Sequence, residues 1–164
     1  MTRTNARQLA VQLSFACEAG SDLSPSDFFE EEYFRALPSD DAIFSEIPGE
    51  KQKEYICTLV EGIRTHRQEL DDIVSTYARG WKLGRISRTA LAVLRCALYE
   101  ILYMPDIPDA ASINEAVELA KCYDEAETVS FINGILGSFM RDRGTPEESS
   151  AVEAEKETAA EEAP

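Results

Sequence analysis

An all-α fold is what the sequence predicts, and three observations predict it. Apolar residues recur at three-and-four spacing through most of the first 143 positions. No segment alternates with the period of two that a half-buried strand needs. The internal prolines stand between the periodic segments, where a chain must turn, and not within them. About seven helices result, and a chain of 164 residues has enough of them for one full core.

The first helix spans Thr2–Gly20. Ala6, Leu9, Ala10, Leu13, Ala16 and Cys17 form its stripe, Thr4 or Asn5 is placed to cap it, and Arg3, Arg7, Ser14 and Glu18 lie on another face. Residues 21–50 form an acidic connector, with one short helix through Phe28, Phe29, Tyr33, Phe34 and Leu37, then turn signals at Pro38 and Pro48-Gly49. A helix over Lys51–Thr65 follows, with Tyr55, Ile56, Leu59, Val60 and Ile63 inward. Another starts near Arg67, carries Leu70, Ile73, Val74 and Tyr77, and is ended by Gly80. Trp81 and Ile86 are expected to insert from a linker into the core.

Ser87 caps the most apolar helix, through Leu91, Leu94, Leu98, Ile101 and Leu102, and Pro105 and Pro108 end it. Ala90, Val93 and Ala97 widen its apolar surface until it almost encircles the helix, which makes this the central element. The last two helices lie within Ser112–Phe139, separated by an acidic corner. Ser112 followed by Glu115 reads as a capping box, and Ile113, Ala116, Val117 and Ala120 form the stripe behind it. Ile132, Ile135, Leu136 and Phe139 form the last stripe. Gly134 within it costs ~1 kcal/mol relative to Ala, which suggests a neighbour packed close to the backbone. The domain is therefore expected to cover 1–143, and the Glu/Ala/Ser/Thr stretch 144–164 to be a disordered acidic tail.

Net charge is −15, which on its face argues against a polyanionic partner. The charge is segregated, however. Nine acids and Arg35 fall within 21–50, and seven glutamates and Lys156 within the tail. Between Ile73 and Tyr99 there is no acid but five bases: Arg79, Lys82, Arg85, Arg88 and Arg95. The first seventeen residues likewise hold Arg3 and Arg7 and no acid.

Cys17, Cys57, Cys96 and Cys122 are far apart and fall within helical patterns. They are read as small buried hydrophobes in a reducing compartment, with no metal site. No signal-peptide core and no apolar run of spanning length is present, so a cytoplasmic location without a membrane is expected. Catalysis is not expected either. His66, the single histidine, has no nucleophile context, Glu115 and Glu118 read as cap and solvated face, and no phosphate-binding glycine loop appears. No cofactor is expected.

The basic islands point instead to a nucleic-acid strand. Arg88 and Arg95 are seven apart on one face of the central helix; with Arg3 and Arg7 alongside they form one groove for a sugar-phosphate backbone. Two other readings stand: the arginines pair with acidic loops, or Arg95 is a structural arginine bonded to helix-end carbonyls. Phe15 and Phe131 are the rings on which unpaired bases would stack, although an aromatic at helical spacing also serves as core.

INEAVELAK (113–121) followed by FINGIL (131–136) resembles the C-terminal signature of the NusB family of bacterial transcription antitermination factors. The resemblance extends through RTALAVLRCALYEI (88–101) and more weakly to the first helix. It implies an all-helical fold of two small packed bundles. It implies a factor that binds boxA, a single-stranded element of nascent ribosomal RNA, together with the ribosomal protein NusE in a complex with RNA polymerase. On that resemblance Arg3, Arg7, Phe15, Arg95, Glu127 and Phe131 border the RNA, while Asn114, Glu115, Asn133 and Gly134 are structural, Asn133 tying helix ends together. Family members often begin with consecutive arginines and carry a base just before Phe131, where this chain has Ser130. Weak binding alone, completed by the partner protein, is the corresponding expectation. Two other functional classes fit the same fold: a non-catalytic protein-binding adaptor, and a stand-alone relative of the regulatory domain of ribosomal-RNA methyltransferases.

Overall fold

Six α-helices and two short 3-10 turns make up the computed structural model, which describes residues 1–18, 21–30, 47–80 and 83–143. Helix α1 (Arg3–Ala16) is capped by Thr2, whose hydroxyl accepts from the Asn5 amide at 3.1 Å, so the cap lies before Thr4 and Asn5. It ends at Cys17, short of the expected Gly20. A 3-10 turn at Pro25–Phe28 follows. Most of the short helix expected through Phe28–Leu37 lies outside the described residues, as do Trp81 and the stretch from Gly144.

Helices α2 (Glu50–Thr65) and α3 (Arg67–Tyr77) are separated by His66 alone. Gly80, at φ +77°, supplies the left-handed turn after α3, a conformation that costs a side-chain-bearing residue energy. Helix α4 (Arg88–Tyr103) starts at Ser87 as expected, the serine oxygen accepting from the Ala90 amide at 3.1 Å. Helix α5 (Asp109–Tyr123) begins earlier than the capping-box reading places it, directly after Pro108. Helix α6 (Ala126–Arg143) completes the set.

Helix α4 touches each of the other five α-helices. Helices α1 and α2 pair on one side of it, while α5 and α6 pair on the other and α3 bridges α4 to α6. The core is one continuous cluster, with Leu9, Ile56, Leu59, Leu70, Leu94, Leu98, Ile132 and Leu136 fully enclosed. Each such side chain stabilises the fold by roughly 1.5–3 kcal/mol. At the closed end, Arg143 of α6 donates to the Ile101 carbonyl near the C-terminus of α4 at 3.1 Å.

One charge lies at the centre of this apolar cluster. Glu100 of α4 is 0% exposed, and its two oxygens accept four hydrogen bonds. Arg7 of α1 donates from Nε at 2.8 Å and from the terminal nitrogen at 3.0 Å; Tyr55 of α2 donates its hydroxyl; Ser112 of α5 donates Oγ at 2.7 Å. Two bonds per oxygen use the carboxylate's acceptor capacity in full. Burial pulls the Arg7 guanidinium down, but Glu100, with Tyr55 and Glu115 adding to it, more than offsets that, and Arg7 is held above its ordinary value. Burial, reinforced by the Glu100 charge, pushes the Tyr55 hydroxyl far up, so it stays a donor.

Ser112 is therefore an interior donor and not a cap. Glu115, one turn along, faces Arg7 at 3.6 Å and accepts from the Thr4 hydroxyl at 3.1 Å. Gly134 is exposed and nothing lies within 4 Å of an added Cβ, so the expected close neighbour is absent there. The close approach is at Gly62 of α2, where a Cβ would fall 2.1 Å from the Tyr99 ring. Asn133 is exposed and forms no tie between helix ends among the described residues. All four cysteines are free thiols; Cys17 and Cys96 are buried and Cys57 half-buried, but Cys122 is exposed near the end of α5.

Removing one partner of the interior pair leaves the other charge unmet. Arg7→Met is expected to lower unfolding free energy by about 3–5 kcal/mol in denaturant titration, and Arg7→Met with Glu100→Gln to recover part of that loss. The two glycines respond with opposite sign. Gly62→Ala costs about 1–3 kcal/mol because the Tyr99 ring must move, whereas Gly134→Ala raises stability by about 0.5–1 kcal/mol.

Candidate nucleic-acid interface

The N-terminus of α4 is where the expected site residues gather. Arg88, its first residue, is exposed; its guanidinium carbon stands 5.8 Å from the centre of the Phe15 ring of α1, within cation–π range. Arg88 also meets the Glu18 carboxylate at 2.9 Å. On the other side, Glu127, Thr128 and Phe131 of α6 and Arg85, Ile86 and Ser87 line one surface cavity of about 110 Å³. Helix α6 begins at Ala126, so Glu127 lies in its first turn and Phe131 one turn later on the same face. Both Phe15 and Phe131 are partly buried against the core. Arg85 is exposed and has no carboxylate partner among the described residues.

The single four-arginine groove does not form. Arg7 is 5% exposed and fully engaged by Glu100, because its place on the inward side of α1 brings it against α4. Arg95 is bound bidentately by Asp71 of α3, at 2.7 and 3.1 Å, with both side chains largely covered. Its partner is a carboxylate, not the helix-end carbonyls considered above. Arg3 lies at the opposite end of α1 from Phe15, about 18 Å away at ~1.5 Å per residue, with its guanidinium 4.3 Å from the Tyr55 ring. It lines a separate cavity with Lys51, Tyr55, Tyr103 and Ile107. Phe15, Arg88, Glu127 and Phe131 are thus brought around one helix end, while Arg3, Arg7 and Arg95 are not.

Sequence reasoning gives no partner role to the three acids that hold these arginines, Glu100, Asp71 and Glu18. Glu100 carried a signal, since an acid inside the most apolar helix is itself informative. Glu18 carried none, being one polar residue on a mixed helix face. No group of three metal-ligating side chains occurs among the described residues, and no described helix is long and apolar enough to cross a membrane. His66 stacks on Tyr103 at 4.3 Å and sits 3.3 Å from Glu69, which also accepts from the Tyr103 hydroxyl.

The family model of NusB matches residues 4–141. The chain belongs to the NusB family. It is 39% identical to the transcription antitermination protein NusB of Acetivibrio thermocellus over 141 residues, covering 86% of this chain and 90% of that protein. To NusB of Thermoanaerobacter sp. (strain X514) it is 40% identical over 147 residues, covering 90% and 96%. A solved structure of T. maritima NusB superposes with a TM-score of 0.62 at 30% identity, covering 92% of this chain and 98% of that one. The NusB fold accounts for the all-helical architecture, and the family is one of transcription antitermination factors, not of enzymes.

Arg95 is expected to behave as a structural residue of this NusB fold. Asp71→Asn should lower stability by about 1.5–3 kcal/mol through loss of a charged hydrogen-bond pair, read as a fall in melting temperature without loss of helical content at low temperature.

Proposed function

We propose that this NusB-family chain binds boxA-type single-stranded RNA of nascent ribosomal RNA, together with NusE, and joins an antitermination complex on RNA polymerase in the cytoplasm. The observation that carries the reading is the N-terminus of α4. An exposed arginine over one aromatic ring stands beside a cavity edged by a second ring, in a chain whose net charge is otherwise strongly negative. Arginine takes a phosphate through its planar fork, and a ring takes an unpaired base on its face whatever the base identity. The helix macrodipole adds positive potential at the same end.

Arg88, Phe15, Glu127 and Phe131 are the residues assigned to the strand, with Arg85 as a further cation. Arg3 reaches it only if the strand runs the length of α1. Arg7 and Arg95 act indirectly, by fixing the helices. Arg85 and Arg88 are the two exposed arginines at this helix end, which favours modest affinity for RNA alone and a requirement for the partner protein. The domain assignment, 1–143 with an acidic appendage from 144, belongs to the same proposal.

Binding of a boxA-like oligoribonucleotide, with and without NusE, tests the reading. Log affinity is expected to fall with log salt by about 0.7 per phosphate contact, and Arg88→Gln to remove about one such contact. Phe131→Ala should weaken binding by about 1–3 kcal/mol with helical content unchanged. Equal affinity for a scrambled strand, or no effect of NusE, would overturn the assignment.

A further inference from the structure

Both ions of the Glu18–Arg88 pair stand at the helix end that disfavours them. Glu18 follows the C-cap of α1, where the macrodipole is negative, and Arg88 opens α4, where it is positive. Neither ion helps its own helix, and each is held by the other, with 2.9 Å between nitrogen and oxygen. The pair is open to water, the arginine side chain 75% and the glutamate side chain 38% exposed, so it exchanges readily with other ions.

The surroundings of Glu18 are cationic as well. It lines a recess with Phe15, Arg64, Arg67 and Arg95. Arg67 and Arg95 face Asp71, while Arg64 faces Glu61 and donates to the Cys17 and Leu23 carbonyls. A carboxylate released from Arg88 therefore stays beside three guanidinium groups, each already shared with another acceptor.

We infer that Glu18 is a built-in competitor for the strand: its carboxylate occupies, on Arg88, the position that an RNA backbone phosphate takes in the complex. This rests on the RNA-binding reading above. Laying a phosphate on Arg88 requires Glu18 to leave, and the departing charge still repels the phosphate that replaces it. The carboxylate thus sets a threshold that weakly held polyanions do not pass.

Glu18→Gln keeps the shape and removes the charge. With a boxA-like oligoribonucleotide, Glu18→Gln is expected to tighten binding about two- to fivefold at low salt. The gain should shrink towards none as salt screens the repulsion. In an Arg88→Gln background the Glu18→Gln gain should vanish. Glu50→Gln, which removes a 94% exposed charge near the opposite end of α1, should change affinity less. Thermal unfolding of Glu18→Gln should match that of the parent chain. The inference falls if Glu18→Gln and Glu50→Gln are equivalent, or if the gain persists without Arg88. A parent chain that binds RNA while Glu18→Gln is silent removes the Glu18 assignment alone; a parent chain that binds no RNA at any salt removes both.

Discussion

A carboxylate with no access to water must have its charge met from within, and in this molecule that demand organises four helices. Glu100 draws a guanidinium from α1, a phenol from α2 and a hydroxyl from α5, and it sits on α4, which packs against everything else. Apolar packing alone tolerates small sliding and rotation of helices. A carboxylate fitted with four directional donors does not, because a shift that misaligns one of them leaves an interior charge short of a partner. The interior pair is better understood as a register device than as a source of net stability, since burial of both ions costs much of what their attraction returns.

That arrangement also determines which cations are left for a ligand. Arginines at positions 7 and 95 share a composition-level description with Arg88, yet they are consumed by Glu100 and Asp71. Arg88 differs because it stands at a helix start, largely exposed, where its acid partner is also at the surface. The acidic average of the chain and the positive character of one helix end are therefore compatible. Two arginines are neutralised inside the fold, and at the start of α4 Arg85 and Arg88 are left facing water.

The helix bodies were legible because each stripe is a local pattern: Leu9–Leu13, Ile56–Ile63 and Leu94–Ile101 declare their buried faces without reference to any other segment. Ser87 was legible for the same reason, cap and apolar run being adjacent. Ser112 and Glu115 misled because the signal for a capping box is also local, while the partner that claims Ser112 lies on another helix. Arg7 was misassigned for a related reason, its acceptor being 93 residues away. Gly134 shows the limit of arguing from composition, since the helix there is simply open to solvent, and the real steric demand fell on Gly62, which nothing in its neighbourhood announced. For the candidate site, residue type pointed to a phosphate-and-base surface, but only tertiary structure separated the water-exposed arginine from the enclosed ones.

The bond from Arg143 to the Ile101 carbonyl carries a geometric consequence. It pins the end of α6 to the far pole of α4, and the thirteen residues from Arg88 to Ile101 place that bond about 20 Å from Arg88 at ~1.5 Å per residue. A fluorophore attached to the last turn of α6 is therefore anchored on the side of the molecule away from the Arg88 opening, where a short linker keeps it clear.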